Sequence, residues 1–96
     1  MKYDLDKRVE DDIIRIAKEN NIKKVILFGS RARGTNFERS DIDLAVSGGN
    51  AADFYYDVEE KAHTLLMFDV VELDRGISEE LQNEINRDGV VLYEEI

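Results

Sequence analysis

Residues 41–47, DIDLAVS, alternate carboxylate and apolar side chains along one short run. A β-strand turns successive side chains to opposite faces. Ile42, Leu44 and Val46 therefore share a face that belongs in a core, while Asp41, Asp43 and Ala45 share the other. The two carboxylates emerge on one side, roughly 7 Å apart at Cα from the rise per residue. Like charges so placed repel unless a cation sits between them. Oxygen-only donors of this kind suit a hard ion such as Mg2+. A lone Asp-x-Asp is more often a wet acidic face, so the pair needs company before it indicates a site.

That company lies just upstream. The run KVILF, residues 24–28, is short, apolar and rich in β-branched residues, and ends at Gly29-Ser30. It reads as a buried strand running into a turn. Glycine allows a ligand to approach the backbone closely, free N–H groups at such a turn suit a phosphate, and Ser30 adds a hydroxyl. Ser30 also fits the cap of a short helix over residues 30–36. The turn is not a P-loop: Gly29 and Gly34 have its glycine spacing, but Thr35 stands where the lysine would be. A phosphate turn and a carboxylate pair on neighbouring strand ends are the two halves of a nucleotide–Mg2+ site.

The remaining pattern alternates helices with strands. Leu5, Val9, Ile13, Ile16 and Ala17 form one stripe of a helix over residues 5–19. After the breaker SGGN, residues 47–50, a second stripe of Ala51, Phe54, Tyr55, Val58, Ala62 and Leu65 predicts a helix over 51–66. FDVVEL, residues 68–73, is a third strand; Ser78 caps a helix through Arg87; and VVLYE, residues 90–94, is a fourth strand. These elements predict a single small α/β domain over residues 1–96, with a mixed sheet of about four strands flanked by helices.

With 96 residues, one modest core is the expectation. There is no cysteine, which rules out a disulfide framework and a thiolate metal site. The start of the sequence shows no apolar signal core, and no run approaches the length of a membrane span, so a cytoplasmic protein with no membrane association is expected. Thirteen basic residues face 22 acidic ones, a net charge of −9 that disfavours direct binding to nucleic acid. Arg31, Arg33 and Arg39 form a basic island in this acidic chain. Such an island suits a local anionic ligand, or is a set of solvated arginines. His63, the only histidine, reads as a surface residue in mid-helix, and Arg39 as a partner of Glu38 or of solvent.

Gly29-Ser30, ten residues, then Asp41-x-Asp43 resembles the signature of the polymerase-β-type nucleotidyltransferases, and the string GSRARG…SDIDLAV is similar to the minimal nucleotidyltransferases among them. FDVVEL resembles their third acidic strand and NRDGVVLYEE their C-terminal ending, so the likeness spans nearly the whole sequence. It implies three catalytic, metal-holding carboxylates: Asp41, Asp43 and a third. Asp69 and Glu72 both qualify and face opposite ways along the strand; strand position favours Asp69. It further implies two Mg2+ ions, ATP as substrate, Gly29 and Ser30 on the β- and γ-phosphates, and Arg31 and Arg33 on the departing pyrophosphate. Minimal nucleotidyltransferases of toxin–antitoxin pairs transfer AMP to a tyrosine of a HEPN-type ribonuclease toxin. By resemblance, the chain is expected to be such an antitoxin, assembling with its toxin. Transfer to a small-molecule hydroxyl and neutralisation by binding alone are the alternatives.

Overall fold

The computed structural model describes residues 3–96. In chain order these form α1 (Lys7–Glu19), β1 (Lys24–Phe28), α2 (Gly29–Arg33), β2 (Ile42–Ser47), α3 (Ala51–Lys61), β3 (Phe68–Glu72), a 3-10 turn (Leu73–Arg75), α4 (Glu79–Asp88) and β4 (Val90–Glu94). The strands make one mixed sheet in the order β3-β2-β1-β4. β1 runs antiparallel to both β2 and β4, and β2 runs parallel to β3 across the α3 connection.

The alternation read from the sequence decides which helices cover which face. Ile42, Leu44 and Val46 pack with Val25 and Leu27 against the apolar stripes of α1 (Val9, Ile13, Ile16) and α3 (Phe54, Val58). On the opposite face Ile26, Phe28 and Ala45 pack with Ile85 of α4. Asp43 lies between Ile42 and Leu44 in the strand, so its side chain emerges on the α4 face. That face therefore holds both a small apolar cluster and the carboxylates at one end of it.

Two elements end differently from their sequence patterns. Leu5 precedes α1, because Asp6 takes the cap position and its carboxylate accepts a hydrogen bond from the Arg8 N–H at 2.8 Å. α3 stops at Lys61 rather than running to residue 66, and Leu65 projects into solvent. The apolar spacing continues past Lys61, but the backbone hydrogen bonds do not. In a continuing helix the His63 N–H would reach back to the carbonyl of Glu59. Here it donates to the buried Asp12 carboxylate of α1 at 2.9 Å. The Phe68 N–H is taken by the Glu59 side chain at 2.9 Å, which starts β3. Tertiary partners thus replace helical ones, and His63 sits just beyond the helix rather than inside it.

Asp12 is the hub of that junction. Its carboxylate also bonds His63 Nδ1 at 2.7 Å and accepts from Arg15 Nη1 at 2.8 Å. Burial alone would raise its pKa, but the hydrogen bonds from the His63 ring, the His63 N–H and Arg15 outweigh it and hold the group at about 2. Replacing Asp12 with alanine strips the shared partner from three donors. A fully buried pair loses roughly 3–5 kcal/mol in this way, and the half-exposed Arg15 and His63 bring the expected cost to about 2 kcal/mol. A carboxylate held below its unfolded pKa contributes fully above about pH 4 and loses that contribution as the pH falls toward 2. In urea denaturation followed by circular dichroism, the gap between wild type and Asp12→Ala should be full at pH 7 and should close below pH 4.

Candidate active site

Strand register assembles the site. In the antiparallel pair Phe28 stands opposite Asp43, and in the parallel pair Asp43 stands beside Asp69. The end of β1, the start of β2 and the start of β3 therefore meet at one edge of the sheet. Gly29 follows Phe28 directly, and Asp41 lies exposed just before β2. The expected residues Gly29, Ser30, Asp41, Asp43 and Asp69 converge there from three separate stretches of sequence.

Gly29 is fixed by two constraints at once. Its φ is +75°, a conformation that costs little only for glycine. A Cβ placed there would lie 2.2 Å from Asp43 Oδ2, so the backbone rests directly against the carboxylate. The helix begins at Gly29, not after Ser30. Phe28 occupies the cap position without a side-chain hydrogen bond to the first turn, and Ser30 falls inside that turn. The expectation of Ser30 as a cap is thus corrected: the first turn of α2 opens toward the carboxylates with no side chain of its own over it. Gly34 closes α2 in the left-handed conformation, with φ of 76°.

Asp43 is half-buried and carries the electrostatic load of the site. Burial first, then the negative charges of Asp69, Asp41 and Glu84, push its carboxyl up to about 6, while Arg33 works in the opposite direction. Glu84 was not among the residues singled out by sequence. It is one of several acids on α4, and only the packing of that helix over the sheet brings it near. Like charges clustered around a desolvated carboxylate, all with hard oxygen donors, fit a divalent cation such as Mg2+. Among the described residues no three His, Cys, Asp or Glu side chains are grouped closely enough to cage a metal by themselves. That donor set matches an ion that takes one or two carboxylates and completes its shell with water and substrate phosphate.

The two arginines have different surroundings. Arg33 is half-exposed and reaches α4, with Nη1 3.4 Å from Glu84 and 3.6 Å from Asp88. Arg31 is buried, and its guanidinium is committed to backbone: Nε donates to the Ser40 carbonyl at 3.0 Å, Nη1 to Asp4 at 3.2 Å and Nη2 to Glu38 at 2.9 Å. Its geometry is that of a clamp on the loop leading to Asp41, in place of the phosphate contact expected from sequence. Glu72, the alternative third carboxylate, stands in register with Val46, three positions along from the Asp43–Asp69 pair, and is held by Arg75. Asp69 is exposed beside Asp43.

A single sheet edge that brings a glycine–serine turn against clustered carboxylates defines a nucleotidyltransferase-type site. The chain belongs to the polymerase β nucleotidyltransferase family, whose sequence profile matches residues 11–95. A Methanocaldococcus jannaschii protein provisionally named a protein adenylyltransferase is 47% identical over 62 residues, which span 65% of this chain and 60% of that one. The alignment thus covers less than two thirds of that relative's length. Among solved structures, a chain from a toxin–antitoxin structure with AMP-PNP superposes with a TM-score of 0.72 at 26% identity, covering 88% of this chain and 73% of that one. A minimal nucleotidyltransferase structure gives a TM-score of 0.65 at 25% identity, covering 84% and 86%.

The charge at Asp43 has a measurable consequence in the metal-free protein. A carboxyl whose folded pKa is raised favours the folded state below the unfolded pKa, near 4, and loses that advantage as the pH rises through about 6. The shift corresponds to at most about 3 kcal/mol, and solvent access reduces this to about 1–2 kcal/mol. Asp43→Asn should therefore be more stable than wild type by about that amount at pH 7.5 in EDTA. Thermal melts at pH 7.5 and pH 3 should show the gain at the higher pH and none at the lower, below the unfolded pKa.

Proposed function

We propose that this chain transfers AMP from ATP, in a Mg2+-dependent reaction, to a tyrosine hydroxyl of a HEPN-type ribonuclease toxin, and so acts as its antitoxin. The observation that carries the catalytic part is the register that sets Gly29, Asp43 and Asp69 side by side. Family membership and the likeness to a toxin–antitoxin structure with AMP-PNP support the reaction class and the setting.

In this reading the N–H groups of the first turn of α2 and the Ser30 hydroxyl hold the β- and γ-phosphates. Asp41 and Asp43 would hold the nucleotide's Mg2+, and Asp69 would contribute to holding a second ion. When bound, Mg2+ would neutralise charge building on the attacking and leaving oxygens of an in-line displacement. The acceptor oxygen bonds to the α-phosphorus as the α–β bridging bond breaks and pyrophosphate leaves. Asp69, exposed at the rim, takes the proton of the hydroxyl as that bond forms. Arg33 screens the departing pyrophosphate from the edge where Glu84 and Asp88 hold it. Arg31 keeps the loop before Asp41 in place. Each AMP added to the toxin places a negative phosphate beside a surface that must bind RNA phosphates, which weakens that binding.

The test is to incubate the chain with the product of the adjacent reading frame, ATP and Mg2+, and to measure intact masses and then peptide masses. Tyrosine-containing peptides of the partner should gain AMP, with ribonuclease activity falling in step. Asp41→Asn, Asp43→Asn and Asp69→Asn should each cut transfer by at least a hundredfold, about 3 kcal/mol of barrier, while Glu72→Gln should stay within about threefold of wild type. Transfer that survives Asp69→Asn but is lost in Glu72→Gln would reverse the assignment of the third carboxylate.

A further inference from the structure

We propose that the apolar patch of Leu65 and Met67, beside Asp41, is the surface on which the acceptor protein docks, through a segment that pairs apolar side chains with basic ones. The proposal rests on the reading above, that the acceptor hydroxyl belongs to a protein.

Leu65 and Met67 are 103% and 62% exposed, although burying each would favour folding by about 1.5–3 kcal/mol. Their outward placement is enforced by the backbone. The Thr64 N–H bonds the Ala62 carbonyl at 2.8 Å, the Leu66 N–H bonds Thr64 Oγ1 at 3.0 Å, and the Met67 carbonyl accepts from the Ile42 N–H at 2.9 Å. The last of these bonds ties the patch to the residue between Asp41 and Asp43. Leu65, Leu66 and Met67 line a cavity of about 400 Å3 together with Glu38, Arg39 and Asp41. Any group seated there lies next to a catalytic carboxylate.

The shape favours a protein over a small ligand. Small ligands are enclosed in concave sites that bury most of their surface. Here Leu65 lines the cavity yet remains fully exposed, and Phe37, at the tip of the loop that supplies Glu38 and Arg39, is 84% exposed. Outward-facing apolar groups on a braced loop suit the core of a protein interface. The charge favours a basic partner. Glu38 and Leu66 also line a second cavity of about 410 Å3, whose rim carries Asp4 and Asp6. The two cavities adjoin through Glu38 and Leu66, and Asp4, Asp6, Glu38 and Asp41 outnumber their two arginines, Arg39 and the buried Arg31, whose guanidinium is committed to backbone carbonyls. A second copy of this chain, with a net charge of −9, would meet that rim with like charge.

The experiment uses the full chain and, as partner, the product of the adjacent reading frame. The double variant Leu65→Ser/Met67→Ser is compared with wild type in three measurements: affinity for Mg·ATP, affinity for the partner, and initial rate of AMP transfer at limiting partner. The expected result is Mg·ATP affinity within twofold of wild type, with partner affinity and transfer rate each reduced tenfold or more. Unchanged partner affinity and transfer in the double variant would overturn the docking surface while leaving the proposed function standing. Loss of Mg·ATP affinity with partner affinity intact would make the patch a nucleotide contact and overturn the proposal. A wild-type dimer in sedimentation that the double variant loses would assign the patch to self-association and also overturn it. A wild type that neither binds nor modifies the partner would remove the underlying reading, and the proposal with it.

Discussion

The site is organised around one crowded carboxylate. Asp43 is half-buried, pressed against the backbone of Gly29 and flanked by Asp69 and Asp41. Each of those neighbours makes its negative charge more costly, so the isolated chain holds in its sheet edge a group that a bound cation would relieve. The rest of the molecule keeps this arrangement from relaxing. The strand register cannot slip by one residue without turning Ile42, Leu44 and Val46 out of the core and Asp43 into it. Gly29 cannot take a side chain without displacing the carboxylate. Arg31 is buried at the base of the loop that delivers Asp41, where three backbone carbonyls hold its guanidinium.

Much of this was legible in sequence because it depends on short-range pattern. The alternation in residues 41–47 set the faces of β2, and the end of KVILF at a glycine set the turn. All four strands lie within a residue of the ranges read from sequence. Strand position chose Asp69 over Glu72, and the parallel register explains why that choice places it beside Asp43. What was not legible depends on partners far away in the chain. Arg31 looks like a phosphate ligand in a basic island, and only folding reveals the carbonyls of Asp4, Glu38 and Ser40 around it. Apolar spacing carried the helix prediction to residue 66, while Asp12, 51 positions from His63, captures the N–H that would have continued it. Glu84 acts on Asp43 through the packing of α4, which no local pattern encodes.

The fold also separates chemistry from recognition. The α1 and α3 face of the sheet is the main core, and the carboxylate buried there, Asp12, is fully engaged by His63 and Arg15. The opposite face carries a smaller core under α4 and leaves the starts of β2 and β3 open for charge. A compact domain can tolerate such a charged edge because its stability comes from the other side. Loops then supply what the edge lacks: residues 34–40 bring in Asp41, and residues 62–67 raise apolar side chains next to it.

The central claim is that Gly29, Ser30, Asp41, Asp43 and Asp69 form a single nucleotide site that requires a divalent cation. Amide NMR titration of the chain with a non-hydrolysable ATP analogue, with Mg2+ and in EDTA, tests it most directly. The account predicts Mg2+-dependent binding, at least tenfold tighter than in EDTA, with shifts centred on residues 29–31, 41–43 and 69. Equal affinity in EDTA, or shifts centred instead on Gly48–Asn50 at the far end of β2, would contradict it.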